Sequence, residues 1–386
     1  MSSLQLSRRQ RGFSLVELLV GMVVGLVITV VIYQVVTTYE GIKRTTTSGA
    51  DTQQNGIFSL STLERDVRAA GWGMPSADVM RCSIYLTYAD SGSGGGPVPN
   101  FPGGPLRITD GGTAAGASDS ITILWGSSVR ANVLDSLLQN VTANPPATAA
   151  SKLQPATAVA LSSVGGFVWL MDDAGNCALT RITASTPVTL PTTPVTNTVI
   201  LSHDPATGSA TQPNYNPTGN YMTANGWQSL YNANPRIYDV GALVQRTYSV
   251  ANGSLNSQDY FSSATQAQIS NNVVSLKAQY GISDAGSQVV NNWVSATNGA
   301  SGNWANPTLA ELKRIKAVRV AVVVRSPLQE RIADGATACT TTTTAPASWP
   351  GGPTIDLSND ANWRCYRYRT FETVVPLRNV LWANLS

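Results

Sequence analysis

Apolar positions follow two different patterns near the start of this chain. From Phe13 to Val36 they run almost without interruption, and Glu17 is the single charge among them. As a helix, Leu18 to Val36 would span about 28 Å, close to the roughly 30 Å hydrocarbon layer of a bilayer. Beyond that run the pattern becomes periodic. Ile57, Leu60, Leu63, Val67 and Ala70 recur three or four residues apart, which predicts an amphipathic helix. Glu64 and Arg68 stand four apart in the order that favours a surface pair, and Gly71 with Pro75 supplies a stop. A single helix over 13–70 would be about 87 Å long. Gly41 and Gly49, amid Thr45, Thr46 and Thr47, are expected to bend or loosen it in the middle. The apolar half would pack with other such helices, and the amphipathic half would dock on a globular head.

In the head, 71–386, strand-like runs are short and separated by stretches rich in Gly, Ser, Thr, Pro and Asn. Strands are predicted at 121–125, 166–170, 197–201, 237–250, 273–280, 317–325 and 366–375. Asn252-Gly253 reads as a tight turn after 237–250, and 307–315 as a short helix. Loops are expected at 90–118, 142–158, 184–196, 203–235 and 335–356. Strands without regular intervening helices favour an antiparallel arrangement, so the fold class is α+β. No repeat of 20–50 residues is evident, which sets solenoids and propellers aside. Val320, Val322 and Val324 share one strand face while Ala321, Val323 and Arg325 share the other. That strand should be covered on both sides, on one of them by the N-terminal helix. Only the outward Arg319 and Arg325 remain as contact candidates.

Composition narrows the functional classes. With 42% hydrophobic residues and nine Trp in 386, a sizeable core is available, and disorder of the whole chain is excluded. Charged residues are only 12% and the net charge is +3, too weak to imply a nucleic-acid partner. One histidine, His203, rules out multi-His metal sites. The pentapeptide G-x-S-x-G is absent, and adjacent His203 and Asp204 rarely face each other, so an enzyme is not expected and no cofactor is implied. Asp172, Asp173 and Asn176 offer hard oxygen ligands but lack the spacing of a calcium loop. Arg364, Arg367 and Arg369 with Tyr366 and Tyr368 could grip nucleic acid, yet alternation along a strand explains them as well.

The ends of the apolar run set an orientation. Arg8, Arg9 and Arg11 precede it without any acid, and Glu40, Lys43 and Arg44 follow it, which places the N-terminus in the cytoplasm. Thr37-Thr38-Tyr39-Glu40 lacks the small-residue pattern of a secretory cleavage site, so the span should stay with the protein. Glu17, just inside the apolar helix, either reaches the headgroups or awaits a cation from a neighbouring chain. Cleavage after Gly12 would free such a cation on Phe13.

The segment from Arg11 to Val20 resembles the signature of type IV prepilins and type II secretion pseudopilins. The resemblance implies a prepilin peptidase cutting between Gly12 and Phe13, methylation of Phe13, and pairing of Glu17 with a neighbouring N-terminus. The head narrows it to the PilW family of minor pilins, carried by Leu63 to Trp72, Val273 to Gly281, Ile315 to Pro327 and Phe371 to Asn379. The family implies a type IV pilin-like fold, a long helix on an antiparallel β-sheet head. It also implies partners among other minor pilins, the major pilin and a tip adhesin. The expected divisions are a leader at 1–12, a membrane and filament-core helix at 13–36, its amphipathic half at 37–70 and the head at 71–386. The location is then the inner membrane with a periplasmic head, followed by the pilus, at its tip. Residues 81–235 match none of the family's blocks. An adhesin-like or DNA-binding pilin using 81–235, read as one long insertion, as its contact surface, and a secretion pseudopilin, stand as alternatives.

Cys82, Cys177, Cys339 and Cys365 form no C-x-x-C, and a periplasmic head would keep them oxidised. Three connectivities are open. Cys82–Cys177 with Cys339–Cys365 is preferred, because the second bond closes the Thr-rich loop between the last two strands.

Overall fold

The computed structural model describes residues 14–74, 82, 84–90, 95–128, 135–140, 152–155, 164–190, 196–205, 213–217, 221, 224–232, 235–299, 302–330, 332 and 337–379. The chain divides into two units, 1–51 and 52–386. Helix α1 (Leu15–Ala69) contributes to both and runs helical through Gly41 and Gly49. The helical run is not interrupted at either glycine. Thr45 and Thr46 instead donate their hydroxyls to the carbonyls of Gly41 and Ile42, four residues back, so their polar groups are satisfied within the helix.

In the first unit the apolar side chains from Leu15 to Ile42 are exposed. The helix is long and apolar enough to cross a membrane, with a window of mean hydropathy 2.8.

The second unit is built on three main sheets. The largest has eight strands: β1 (Ile84–Leu86), β4 (Asp135–Asn140), β5 (Lys152–Pro155), β6 (Phe167–Met171), β7 (Asn176–Arg181), β8 (Ala184–Leu190), β9 (Thr196–Ser202) and β10 (Arg236–Gly241). Their spatial order is β1-β7-β6-β10-β4-β5-β9-β8. Only the β1–β7 pair is parallel; every other strand pair is antiparallel. All five residues of β6 are buried. Val168 and Leu170 face one apolar cluster with Ile237 and Trp227, while Phe167, Trp169 and Met171 face another with Tyr238 and Tyr215. Trp227 belongs to a short helix, α2 (Trp227–Asn232).

The second sheet holds β2 (Leu106–Thr109), β3 (Ser120–Gly126), β11 (Leu243–Ala251), β12 (Ser254–Asp259) and β13 (Ser263–Asn271), in the order β13-β12-β11-β3-β2. The third holds β14 (Val273–Ile282), β15 (Asn292–Val294), β18 (Ile315–Arg325) and β19 (Tyr368–Pro376), in the order β15-β14-β18-β19. A small ribbon of β16 (Asn298–Gly299) and β17 (Gly302–Asn303) and the helical turn α3 (Leu309–Leu312) complete the set. Thr308 and Glu311 cap α3 reciprocally, which is why a helix starts there.

Three expectations need correction. The run 237–250 is two strands in two different sheets. Gly241, at φ +70, turns the chain between them, and the Val240 carbonyl accepts from the Ser127 and Ser128 N–H groups at that corner. Parts of the expected loops 90–118, 142–158 and 184–196 are strand (β2, β5 and β8). The third correction concerns 81–235, which is not one inserted block. Leu106, Ile108, Ile121 and Ile123 from it are buried in the same core as Leu63, Val67, Val318, Val320 and Val322.

The β18 strand is covered on both faces. Val320, Val322 and Val324 pack in the core that holds the end of α1. Val323, on the opposite face, packs against Ile355 and Leu357 with Trp363 alongside.

Candidate functional site

Among the described residues no group of three or more His, Cys, Asp or Glu could hold a metal ion. His203 is buried, and burial pushes its imidazole down to about 3. Asp172 closes the β6–β7 turn on itself, accepting from the Asn176 backbone and side chain at 2.8 Å each. Four of the arginines singled out in the sequence are engaged within the chain. Arg319 lies over the rings of Trp293 (4.4 Å) and Trp349 (5.4 Å), and Arg325 pairs with Asp360 at 2.7 Å over Tyr366. Arg367 pairs with Glu330 at 2.9 Å, and Arg364 lies over Trp363. Arg319 and Arg325 are therefore less available as outward contacts than their strand positions suggested.

Two regions carry the functional geometry. The first is the start of α1. Ser14 accepts from the Glu17 N–H with its hydroxyl at 3.2 Å and with its carbonyl at 3.1 Å, so the helix begins at the serine that precedes the apolar run. Glu17 is exposed in the first turn, where a carboxylate complements the helix dipole. Gly12 and Phe13 lie outside the described residues.

The second is the junction between the end of α1 and the two smaller sheets. The helix face turned to the sheets is not the stripe read from periodicity alone. Leu63, Val67 and Ala70 are buried, but Ile57 is exposed and its place inside is taken by Gly56 and Ser59. Gly56 is needed there: a Cβ would fall 2.0 Å from the Phe371 ring of β19. Ser59 shares a hydrogen bond with the Ser270 hydroxyl of β13 at 2.5 Å.

One turn further on, Asp66 points into the head. Its carboxylate accepts from Arg246 (2.8 Å) and the Tyr248 hydroxyl (2.6 Å), both on β11, and from Arg65 of the helix itself (3.0 Å). Arg246 also reaches Asp259 at 3.3 Å and lies over Trp125. Burial and then the Asp66 carboxylate push the Tyr248 phenol up. For Arg246 burial works downward, but Asp66 outweighs it and the guanidinium is held above its ordinary value.

The helix ends at a backbone crossing. Gly71, at φ +76, donates its N–H to the Leu124 carbonyl at 2.9 Å, and Gly126 donates to the Trp72 carbonyl at 2.7 Å. Asn379, after β19, then donates its side-chain amide to the carbonyls of Ala70 (2.9 Å) and Arg68 (3.4 Å). The terminal carbonyls of α1 are thus closed by the far end of the chain. The sequence blocks around Leu63 to Trp72, Val273 to Gly281, Ile315 to Pro327 and Phe371 to Asn379 all meet at this junction. The roles of Asp66 and Asn379 escaped sequence reasoning, although an acid on the inner face of an amphipathic stripe was a signal for the first.

Two disulfides tie the head. Cys82 and Cys177 are joined with Cα atoms 5.5 Å apart and stand 95 positions apart in sequence, and Cys339 and Cys365 with Cα atoms 5.0 Å apart stand 26 positions apart.

A long apolar N-terminal helix whose last turns are clamped on antiparallel sheets defines an α+β, pilin-like protein. Two family matches agree with that class. Residues 228–379 match the family of type IV pilus-assembly protein W, and residues 7–33 match the prokaryotic N-terminal methylation motif. The resemblance drawn from the residue blocks to PilW-family minor pilins holds, and these matches fit a type IV pilus role with membrane anchoring by the N-terminal helix. Among solved structures, a type IV-like pilin from Thermus thermophilus is 12% identical. That similarity covers 37% of this chain and 69% of the other, with a TM-score of 0.20. No curated protein matches the chain.

Proposed function

We propose that this protein is a minor pilin that promotes assembly of a type IV pilus, acting in the complex that initiates the filament and sits at its tip. The observation that carries the reading is the pairing, in one chain, of the N-terminal methylation motif with a PilW-type segment that builds the clamp on α1. The mechanism is non-covalent once processing is complete. Prepilin peptidase removes 1–12 by cutting between Gly12 and Phe13, and Phe13 is methylated. The 13–36 helix rests in the inner membrane with the head, 71–386, in the periplasm, then moves into the filament core. There the Glu17 carboxylate meets the α-amino group of a neighbouring subunit, a pair that loses its basis when either partner is removed. The last turns of the helix are fixed to the head through Asp66, Gly56 and the Asn379 cap. Its partners are other minor pilins, the major pilin and a tip adhesin.

The test is a count of surface pili on cells lacking the protein, with a complemented control. Near-total loss restored by complementation supports the assembly role. Normal numbers would overturn it and favour an accessory binding pilin or a secretion pseudopilin. In the same strain Gly12→Ala should leave a precursor longer by the leader, and a normal mature mass would sink the cleavage assignment.

A further inference from the structure

The head contains a cavity of about 290 Å³ away from the helix clamp's Asp66 network. It lies where the tip of the β11–β12 hairpin meets the start of β14, the end of β18, the start of β19 and the 357–360 segment. From its lining we propose that it binds one uncharged sugar ring, such as the terminal residue of a glycan.

The rim is set by backbone geometry. Asn252 and Gly253, at φ 53 and 68, form the tight turn that closes the hairpin and put the Asn252 amide at the cavity. On the opposite side Asn359 packs on Gly116. A Cβ there would sit 2.6 Å from the Asn359 amide nitrogen, and Gly116 at φ +73 leaves no strain-free place for one. Neither Asn252 nor Asn359 has a side-chain hydrogen bond among the described residues. Each amide therefore brings two donors and an acceptor to the cavity unspent.

Between them stands the Arg325–Asp360 pair, bonded through Nη1 and Oδ2 at 2.7 Å. The other Asp360 oxygen accepts the Asn362 N–H at 2.9 Å. Among the described residues these are the only formal charges in the lining, and they cancel. An ionic ligand would have to be desolvated without an uncompensated charge to receive it, which is costly. Hydroxyl groups, each both donor and acceptor, match amides and a mutually fixed ion pair without that cost. Val250, Leu357 and the ring of Tyr368 supply an apolar wall for the C–H face of a pyranose. The volume lies at the lower end of the range of about 300–1,000 Å³ usual for small-molecule sites, room for one ring and not an oligosaccharide.

Saturation-transfer difference NMR on the full chain in a sugar-free detergent tests this. The probes are glucose, galactose, mannose, N-acetylglucosamine and N-acetylgalactosamine at millimolar concentration, with acetate and N-acetylneuraminic acid as charged competitors. The expected result is a transfer signal from at least one neutral sugar that falls at least tenfold in Asn252→Gly/Asn359→Ala. Asn252→Gly keeps the positive φ of the turn, and an unchanged melting temperature confirms that the variant is folded. Should the double variant lose its fold, Asn359→Ala alone gives the same reading. No signal from any neutral sugar, a signal that survives the substitutions, or displacement by acetate overturns the proposal. The pilus count does not enter, so failure here leaves the assembly reading standing, and the converse holds.

Discussion

At the scale of single residues, the junction depends on one acid and one missing side chain. Asp66 is almost fully buried and meets Arg246 and Tyr248 across the helix–sheet boundary. Asp66→Asn leaves Arg246 with Asp259 alone and weakens the acceptor of the Tyr248 hydroxyl, a loss of charge-assisted hydrogen bonding that costs about 1.5–3 kcal/mol. Asp66→Asn should lower the urea stability of the full chain in detergent by that order, and Tyr248→Phe should add little on top because the two act as one unit. Additive losses would show that the residues are not coupled. Gly56 is the complementary case, since the Phe371 ring occupies the space a methyl group would need. Gly56→Ala is expected to cost about 1–3 kcal/mol by overpacking. Phe371→Leu in the same chain should return part of that loss, and a double-mutant cycle without such recovery would refute the contact.

At the scale of elements, the helix and the sheets differ in how they are held. The α1 end is held by side chains from strands distant in sequence, whereas β18 is covered on its outer face by the 355–363 segment lying between Cys339 and Cys365. The disulfide restrains that segment. Closing a loop of 26 residues stabilises by about 3 kcal/mol in the chain-entropy account. Mutating the pair, Cys339→Ser with Cys365→Ser, should lower the melting temperature and speed amide exchange on the outer face of β18 around Val323. Exchange that stays at the wild-type rate would mean that Ile355 and Leu357 hold the cover without the bond. Most of the strands in the smaller sheets were legible because β-branched runs alternate or cluster there. The strands of the large sheet were less so: β5 and β8 are short or carry Pro187, and their pairing partners rather than their own composition make them strands.

At the scale of the whole molecule, one group links stability to pH. His203 is buried with its imidazole held at about 3, against about 6.5 when unfolded. The folded state therefore excludes a proton that the unfolded chain binds, so stability is full above pH 6.5 and falls as the pH drops toward 3. Between pH 7 and pH 5 the loss should be about 2 kcal/mol. Urea unfolding of the full chain at those two pH values measures it, and His203→Asn should flatten the dependence. A slope unchanged by that substitution would assign the effect to other groups.

Local sequence alone determined the N-terminal helix, the methylation motif at its head and the resemblance of the C-terminal blocks to PilW-type proteins. Those features rest on contiguous residues: an apolar run long enough for a bilayer, a methylation motif within 7–33, and strands whose β-branched side chains announce themselves. Tertiary structure decided the rest. Whether Ile57 or Gly56 faces the sheets depends on the Phe371 ring, and whether 237–250 is one strand or two depends on the corner at Gly241. That 106–126 joins the core under α1 depends on pairing between β3 and β11. Each of these is a contact between residues far apart in the chain, and periodicity cannot report a neighbour that only folding brings near.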